Sequence, residues 1–414
     1  MKKETAKLLV MVLALSVVAT GLFALSLGVV TLDPTPQALP SVSKIEEVPQ
    51  ELPPEEPVIP LPPQPSRVRF MAAGDNLIHD NIYKQASART GQSGFDFAPA
   101  YENVIKIFEG ADLSFINQET LIAESLYPLS GYPRFNSPEA LGNYVEEMGF
   151  DIIGMANNHM FDMNEDGLVA AMDFWESKKD LLSIGAWRNE ADMQKPRLIE
   201  KDGIVFGFVA VTEHTNGLSL PVNSELRYIR SNEYNLMEEQ VKLTKEYADF
   251  VVVSIHWGTE SSVDVNSNQL TLAKMFADWG VDLVLGHHSH TLQPMEWCVG
   301  EQGNKTLVVY SLGNFISSML YPQHMLGGVL DLEILKNNET GETTIEKATM
   351  IPVVTQYDGA GRSNVRTYPF SEYTNELAAK HGARGSYDFF GIPYFKGIIK
   401  KNIPQEFLGD LVLE

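Results

Sequence analysis

Val281-Asp282-Leu283-Val284-Leu285-Gly286-His287-His288-Ser289-His290 is an apolar run that rises into a glycine and then presents three histidines within four positions. About five apolar residues bounded by Gly read as a buried strand, which puts the imidazoles at its C-terminal end. Ligands gather at that edge of open α/β sheets. Imidazole binds Zn, Mn, Fe or Ni, and His288 and His290, two apart, can reach neighbouring atoms of one site. Histidines that merely hydrogen-bond in a polar loop are the plain alternative, so what matters is whether other donors converge on this edge.

Working outward, the pattern recurs. From Val68 onward apolar segments alternate with helix-like ones, as in an α/β fold. Residues 68–73 end at Gly74-Asp75, 113–116 at Asn117-Gln118-Glu119, and 150–155 at Asn157-Asn158-His159. Residues 204–211 end at Glu213-His214, 250–255 at His256-Trp257-Gly258, and 307–312 at Gly313-Asn314. Helical stretches are expected near 100–108, 138–148, 166–178, 236–247 and 268–279. Donors close five of these strands (Asp75, Glu119, Asn158/His159, His256 and His288/His290), and we expect them to line one sheet edge. Polar loops alone do not account for carboxylate, amide and imidazole at so many strand ends.

Each residue type suits a task. Asp75 is a hard oxygen donor, and His79 would share its face if a helix began at Asn76. Glu119 can bridge two cations, which repel less with an anion between them, and Asn117 can orient its neighbours. The Asn158 amide oxygen is a metal donor, while His159 can protonate a leaving group with Asp162 hydrogen-bonded to its ring. Glu260 can fix the tautomer of His256. Trp257 reads as core packing, and His214 has no second indicator. His324 and His381 sit in loop-like contexts and are expected to be solvated. No phosphate loop, dinucleotide fingerprint or Gly-x-Ser-x-Gly elbow is present.

A formal charge of −23 excludes a general nucleic-acid surface, which needs a basic footprint. It also means that a polyanionic substrate requires bound cations to offset repulsion. Cys298 is the only cysteine, so no intrachain disulfide forms and any metal site uses His, Asp, Glu and Asn.

At the N-terminus Lys2, Lys3 and Lys7 precede an uncharged run from Leu8 to Val30, about long enough to span a bilayer. We read residues 1–32 as a cytoplasmic stub and single-pass anchor, with a cleaved signal peptide as the competing reading. The lysines stay cytoplasmic and the rest of the chain lies outside the cell membrane. Residues 33–66 alternate prolines with glutamates, the composition of an extended stalk. Residues 67–355 form the main domain. Residues 356–414 are a C-terminal extension that covers that domain or contacts a partner.

These motifs, in this order, resemble the CapA-like poly-gamma-glutamate capsule biosynthesis family, which is related to calcineurin-like metallophosphoesterases. Gly74-Asp75, Asn117-Gln118-Glu119, Asn157-Asn158-His159 with Asp162, and His256-Trp257-Gly258 with Glu260 carry the resemblance. His287-His288-Ser289-His290 with Gln293 and Tyr310-Ser311-Leu312-Gly313-Asn314-Phe315 complete it, over about Val68 to Val354. It implies a four-layer α/β sandwich with two central mixed β-sheets and a dinuclear centre of divalent metal ions such as Mn, Fe or Zn. It further implies Asp75, Glu119, Asn158, His256, His288 and His290 as metal ligands, His159 as proton donor, and accessory roles for His287 and Asn314. Two positions depart from the phosphoesterase pattern: Leu77 stands where a histidine is usual, and Glu119 where an aspartate is.

The expected function is a membrane-anchored, extracellular metal-dependent hydrolase or transferase of capsule synthesis. Its substrate would be an anionic polymer or a phosphoester, and its partners membrane-bound synthesis or export subunits. The alternative is a non-enzymatic polymer-binding or export subunit with a metal-bearing cleft.

Overall fold

The computed structural model describes residues 64–413. The expected anchor and nearly all of the proline-rich stalk lie outside the described residues. Among those described, no helix is long and apolar enough to cross a membrane.

In chain order the strands are β1 (Ser66–Asn76), β2 (Leu113–Asn117), β3 (Ile152–Gly154), β4 (Leu182–Ile184), β5 (Arg197–Lys201), β6 (Ile204–Thr212) and β7 (Phe250–His256). They continue with β8 (Leu283–His287), β9 (Met295–Val299), β10 (Lys305–Val309), β11 (Asn314–Ile316), β12 (Leu326–Lys336), β13 (Thr343–Asp358) and β14 (Ser363–Pro369). Two sheets form. One runs β14-β13-β12-β1-β2-β3-β4 with β11 beside the end of β1, and the other runs β5-β6-β7-β8-β10-β9. Both are mixed. β1 to β4 are parallel and β12 to β14 antiparallel in the first, while β6-β7-β8-β10 are parallel with antiparallel edges in the second. The donors therefore lie on the C-terminal edges of two sheets, which corrects the single edge expected from the sequence. Alternation within a strand says which face a residue takes but not which sheet the strand joins.

Side-chain alternation explains how the sheets stack. In β7, Phe250 and Val252 join the core between the sheets, while Val251, Val253 and Ile255 pack toward the helices Tyr234–Lys245 and Ser267–Asp278. His256 has the parity of Phe250 and Val252, so its ring points between the sheets. In β8, Leu283 and Leu285 put His287 on that same inner face. Phe70 of β1 stacks on Phe206 of β6 with centroids 6.2 Å apart. Each such fully buried ring contributes on the order of 1.5–3 kcal/mol relative to exposure.

Outer helices follow amphipathic spacing. Leu168, Met172 and Trp175 give Asn164–Glu176 one buried stripe. Ser267–Asp278 begins at a capping box formed by Asn266 and Gln269. The helix expected over 100–108 is instead two short pieces, Ala98–Tyr101 and the 3₁₀ turn Ile105–Phe108. Strand β13 runs through positions 355 and 356, and β14 forms the edge of the first sheet. Asn402, in the helix Ile392–Asn402, donates to the carbonyl of Leu292 at 2.7 Å, just past the histidine motif.

Candidate metal centre

A bulge sets Asp75. Ala73 pairs with Ile116 and Asp75 with Asn117, so Gly74 is the extra residue and the parity of β1 reverses there. Asp75, which would otherwise follow Met71 and Ala73, turns toward the second sheet. A Cβ at position 74 would collide with the carbonyl of Gly313, and only glycine allows that approach. The opening stretch has a similar requirement. A Cβ on Gly286 would strike the carbonyl of Tyr310. His288 and His290 then adopt φ of 88° and 57°, a left-handed conformation uncommon for side-chain-bearing residues and often retained at functional sites.

The donors meet in two groups that share Glu119. On one side, Asp75 Oδ2 lies 3.0 Å from His290 Nδ1, Asn314 Oδ1 lies 3.1 Å from that same nitrogen, and His290 Nε2 lies 3.6 Å from Glu119 Oε1. Donor atoms of Asp75, Glu119 and His290 all fall within 4.8 Å of one another. On the other side, His256 Nε2 is 3.5 Å from Glu119 Oε1, 2.9 Å from Asn158 Oδ1 and 3.0 Å from His288 Nδ1. Asn117 donates to Asp75 Oδ1 at 2.8 Å and holds that carboxylate in place. His287 Nδ1 stands 3.3 Å from Asp75 Oδ1, and its ring stacks on Phe115 at 5.6 Å.

The donor chemistry fits divalent cations. Both carboxylate oxygens of Glu119 are buried without a hydrogen-bond donor, as is Nδ1 of His256. Leaving such groups unpaired is costly. A cation between the carboxylate, the Asn158 amide oxygen and the facing imidazole nitrogens would satisfy the Glu119 oxygens, whereas His256 Nδ1 points away from the cluster, which its Nε2 faces.

The electrostatics follow from burial. Burial pushes the Glu119 carboxyl well above the usual range. Burial also opposes ionisation of Asp75, but the facing His287 and His290 imidazoles outweigh it and hold this carboxyl well below that range. Burial works against charge on His290, yet Glu119 and Asp75 raise it to about 9. Burial and the neighbouring His288 push His256 well below 6.5, while burial with His290 and His214 takes His288 down to about 3. Neutral imidazoles are the form that ligates metal.

His159 lies beside this cluster. Its Nδ1 is 2.7 Å from Asp162 Oδ2, which also accepts from the backbone N–H of Phe135 at 2.6 Å. The Phe135 ring meets the imidazole edge-on at 4.7 Å. With Nδ1 engaged, Nε2 is left for a cleft of about 390 Å³ that His159, Asn158 and His290 line.

Other expectations need correction. Asp75 and Asn76 are still strand, and the helix begins only at Asp80, so Asp75 and His79 share no helical face. His79 precedes that helix and its Nδ1 lies 3.3 Å from the carbonyl of Leu77. Glu260 is exposed at the cleft mouth, and among the described residues it makes no hydrogen bond to His256, His288 or His290. His324 and His381 are buried rather than solvated. His324 lies 2.8 Å from Ser261 Oγ, and His381 is sandwiched by Tyr357 and Phe390 at 4.2 Å each. Trp257 is fully buried and donates to the Tyr310 carbonyl at 2.8 Å. Sequence reading passed over His214, whose ring is 5.1 Å from His288, and Asn216, whose amide nitrogen lies 3.4 Å from His159 Nδ1. His214 follows β6 by two residues, a strand-end position that the sequence showed without a second donor to support it.

Fold and site together describe an α/β protein whose sheet edges converge on a buried carboxylate–imidazole cluster suited to metal. The family model for "Bacterial capsule synthesis protein PGA_cap" matches residues 69–319, and the chain belongs to that family. It is 28% identical over 214 residues to the PGA biosynthesis protein CapA of Bacillus subtilis, covering 50% of this chain and 54% of that protein. It is 32% identical over 183 residues to the capsule biosynthesis protein CapA of Bacillus anthracis, covering 42% and 41%. The matches thus span about half the length of these relatives. A solved phosphatase from Mycoplasma pneumoniae aligns with a TM-score of 0.42 at 15% identity, over 70% of this chain and 95% of that one.

Proposed function

We propose that this chain is a metal-dependent hydrolase or transferase of capsule polymer synthesis. It would act on an anionic polymer such as poly-gamma-glutamate or on a phosphoester. The apolar run from Leu8 to Val30 would hold it in the cell membrane as a single pass, with its N-terminus cytoplasmic and the main domain outside.

Glu119 carries the chemical part of this reading: a buried carboxylate without donors, standing between Asp75–His290 on one side and Asn158–His256–His288 on the other. Those residues would hold two divalent ions of Mn, Fe or Zn type, which supply a water of lowered pKa and polarise the scissile group. Asp162 fixes the ring of His159 through Nδ1, so a proton carried on Nε2 faces the cleft and can pass to the leaving group. Asn117 keeps the Asp75 carboxylate oriented. Phe135 packs against the His159 ring and limits water on that side.

A second reading is a polymer-binding or export subunit with a metal-bearing cleft. It is favoured by the adjoining cleft of about 760 Å³, roomier than the one over the cluster.

Elemental analysis combined with turnover assays on phosphoester and gamma-glutamyl substrates tests both. His288→Ala should lose metal and activity, whereas His159→Ala should keep metal and lose activity. A metal-free, inactive protein contradicts the enzyme reading. Ligand variants that abolish polymer production, in a protein with no turnover on either substrate class, support the binding reading.

A further inference from the structure

Three clefts meet at Glu260, which lines all of them. The central cleft opens on Asn158, His159 and His290 and is bordered by Arg134. It shares Asn216 and Leu218 with a cleft of about 500 Å³ that reaches His214, His288 and Arg230. On its other flank it shares His79, Tyr132 and Met319 with the cleft of about 760 Å³, where Arg362 lies among Tyr321, Tyr357 and Tyr387. The donor cluster therefore sits under the middle of a run of pockets, each about the size that holds a small organic ligand.

Five of the eleven arginines have no carboxylate ion pair among the described residues, and three of these five border the clefts, while Arg366 and Arg384 donate to backbone carbonyls elsewhere. Arg67, Arg69, Arg89, Arg188, Arg197 and Arg227 each pair with a carboxylate. Arg134, Arg230 and Arg362 have no carboxylate within ion-pair reach among the described residues, and one of them borders each cleft. Arg362 is anchored by donating to the Ser318 carbonyl at 2.7 Å, and Arg134 by donating to Asn164 Oδ1 at 3.1 Å. In a chain of formal charge −23, three guanidiniums without carboxylate partners around one centre are sites for a ligand's anions.

We propose that the three clefts form one trough for an extended chain of carboxylates that crosses the cluster, with Arg230 and Arg362 holding carboxylates on either side and Arg134 holding one near the centre. The protein then engages the interior of a polymer rather than a monomer or a free end. Carbon surfaces of Leu218, Met319 and Leu320 between the arginines suit charges separated by methylene groups. A polyphosphate, with contiguous charge, would meet Glu260 at the junction. This inference rests on the cluster being the working centre proposed above.

Equilibrium binding of fluorescent gamma-linked glutamate dimer, hexamer and dodecamer to the full chain tests it, with manganese present and after chelation. Affinity should rise more than about tenfold from dimer to dodecamer, as added charge contacts accumulate. Arg230→Gln and Arg362→Gln should each weaken the dodecamer about tenfold and flatten its salt dependence, with partial rescue by Arg→Lys at each position. Length-independent affinity, unchanged binding in the double Gln variant, or polyphosphate binding as tightly as the glutamate chain would overturn the proposal. Length- and arginine-dependent binding without turnover would keep the trough and reject only the enzyme reading. Turnover of a small phosphoester without length dependence would do the reverse.

Discussion

Asn158 Oδ1, in the turn after β3, lies 2.9 Å from Nε2 of His256 at the end of β7, so a single polar contact joins the edges of two different sheets. Asn158→Ala would remove a candidate metal donor and this cross-sheet contact without opening a large void. We expect metal affinity to fall by about 10–100-fold, the scale on which site-supporting groups act. The folded spectrum should be retained. Metal titration followed by far-ultraviolet circular dichroism checks this, and unchanged affinity would place Asn158 outside the site.

Proton release offers a test from a different direction. Although burial opposes it, Glu119 and Asp75 keep His290 protonated up to about pH 9, and a ligating imidazole must give that proton up. Metal binding at pH 8 should therefore release about one proton from His290, and affinity should climb as pH rises toward 9. Calorimetry in buffers of different ionisation enthalpy measures the number. Binding with no proton exchange would argue that His290 is not a ligand.

His381 predicts an acid limit to stability. Burial lowers it from 6.5 to about 4, against the opposing hydrogen bond to Thr355, and its Nδ1 accepts from the Ala383 N–H at 3.0 Å. A folded pKa below the unfolded one gives stability that is full above 6.5 and drains as pH falls toward 4. The contribution is about 3 kcal/mol. His79 and His324, lowered by burial to about 4 and about 3, act with the same sign. His381→Asn keeps an acceptor and removes the titration. Its urea midpoint should fall less between pH 7 and pH 4.5 than that of the parent chain.

Gly286→Ala should destabilise the chain by about 1–3 kcal/mol, because the new methyl would strike the Tyr310 backbone carbonyl and the Trp257 indole nitrogen. Moving that backbone would shift β10 against β8 just before His288. Thermal melting and metal content should therefore decline together, and normal values for both would show that the two strands can separate at little cost.

Much of this was written locally. Apolar runs ending in donors marked β1, β2, β3, β7 and β8, because strand periodicity and strand-end chemistry are short-range signals. The allocation of those strands to two sheets was not local, and neither was the burial of His324 and His381, which depends on distant elements closing over them. The start of the first helix misled, because β1 continues through Asn76 and the helix begins only at Asp80. A further regularity went unread. Asp112, Asp151, Asp249 and Asp282 each precede a strand and accept from a backbone N–H near the start of the neighbouring one (Arg69, Ser114, Val205 and Val251), at 2.7–2.8 Å. They sit in Gly110-Ala111-Asp112, Gly149-Phe150-Asp151, Ala248-Asp249-Phe250 and Gly280-Val281-Asp282. Each pins the entry register of a parallel pair, and the recurring aspartate before an apolar run was the cue.

The most direct measurement is the melting temperature of the parent chain and of Glu119→Gln at pH 8, each with and without manganese or zinc. Burial raises the Glu119 carboxyl, so without metal its ionisation destabilises the fold as pH rises, and the neutral amide should melt at a higher temperature. Metal should stabilise the parent by about 3 kcal/mol at a hundredfold excess over its dissociation constant and have little effect on the variant. A variant that melts lower without metal, or that gains as much from metal as the parent does, would contradict the assignment of Glu119 as the shared ligand of a metal centre.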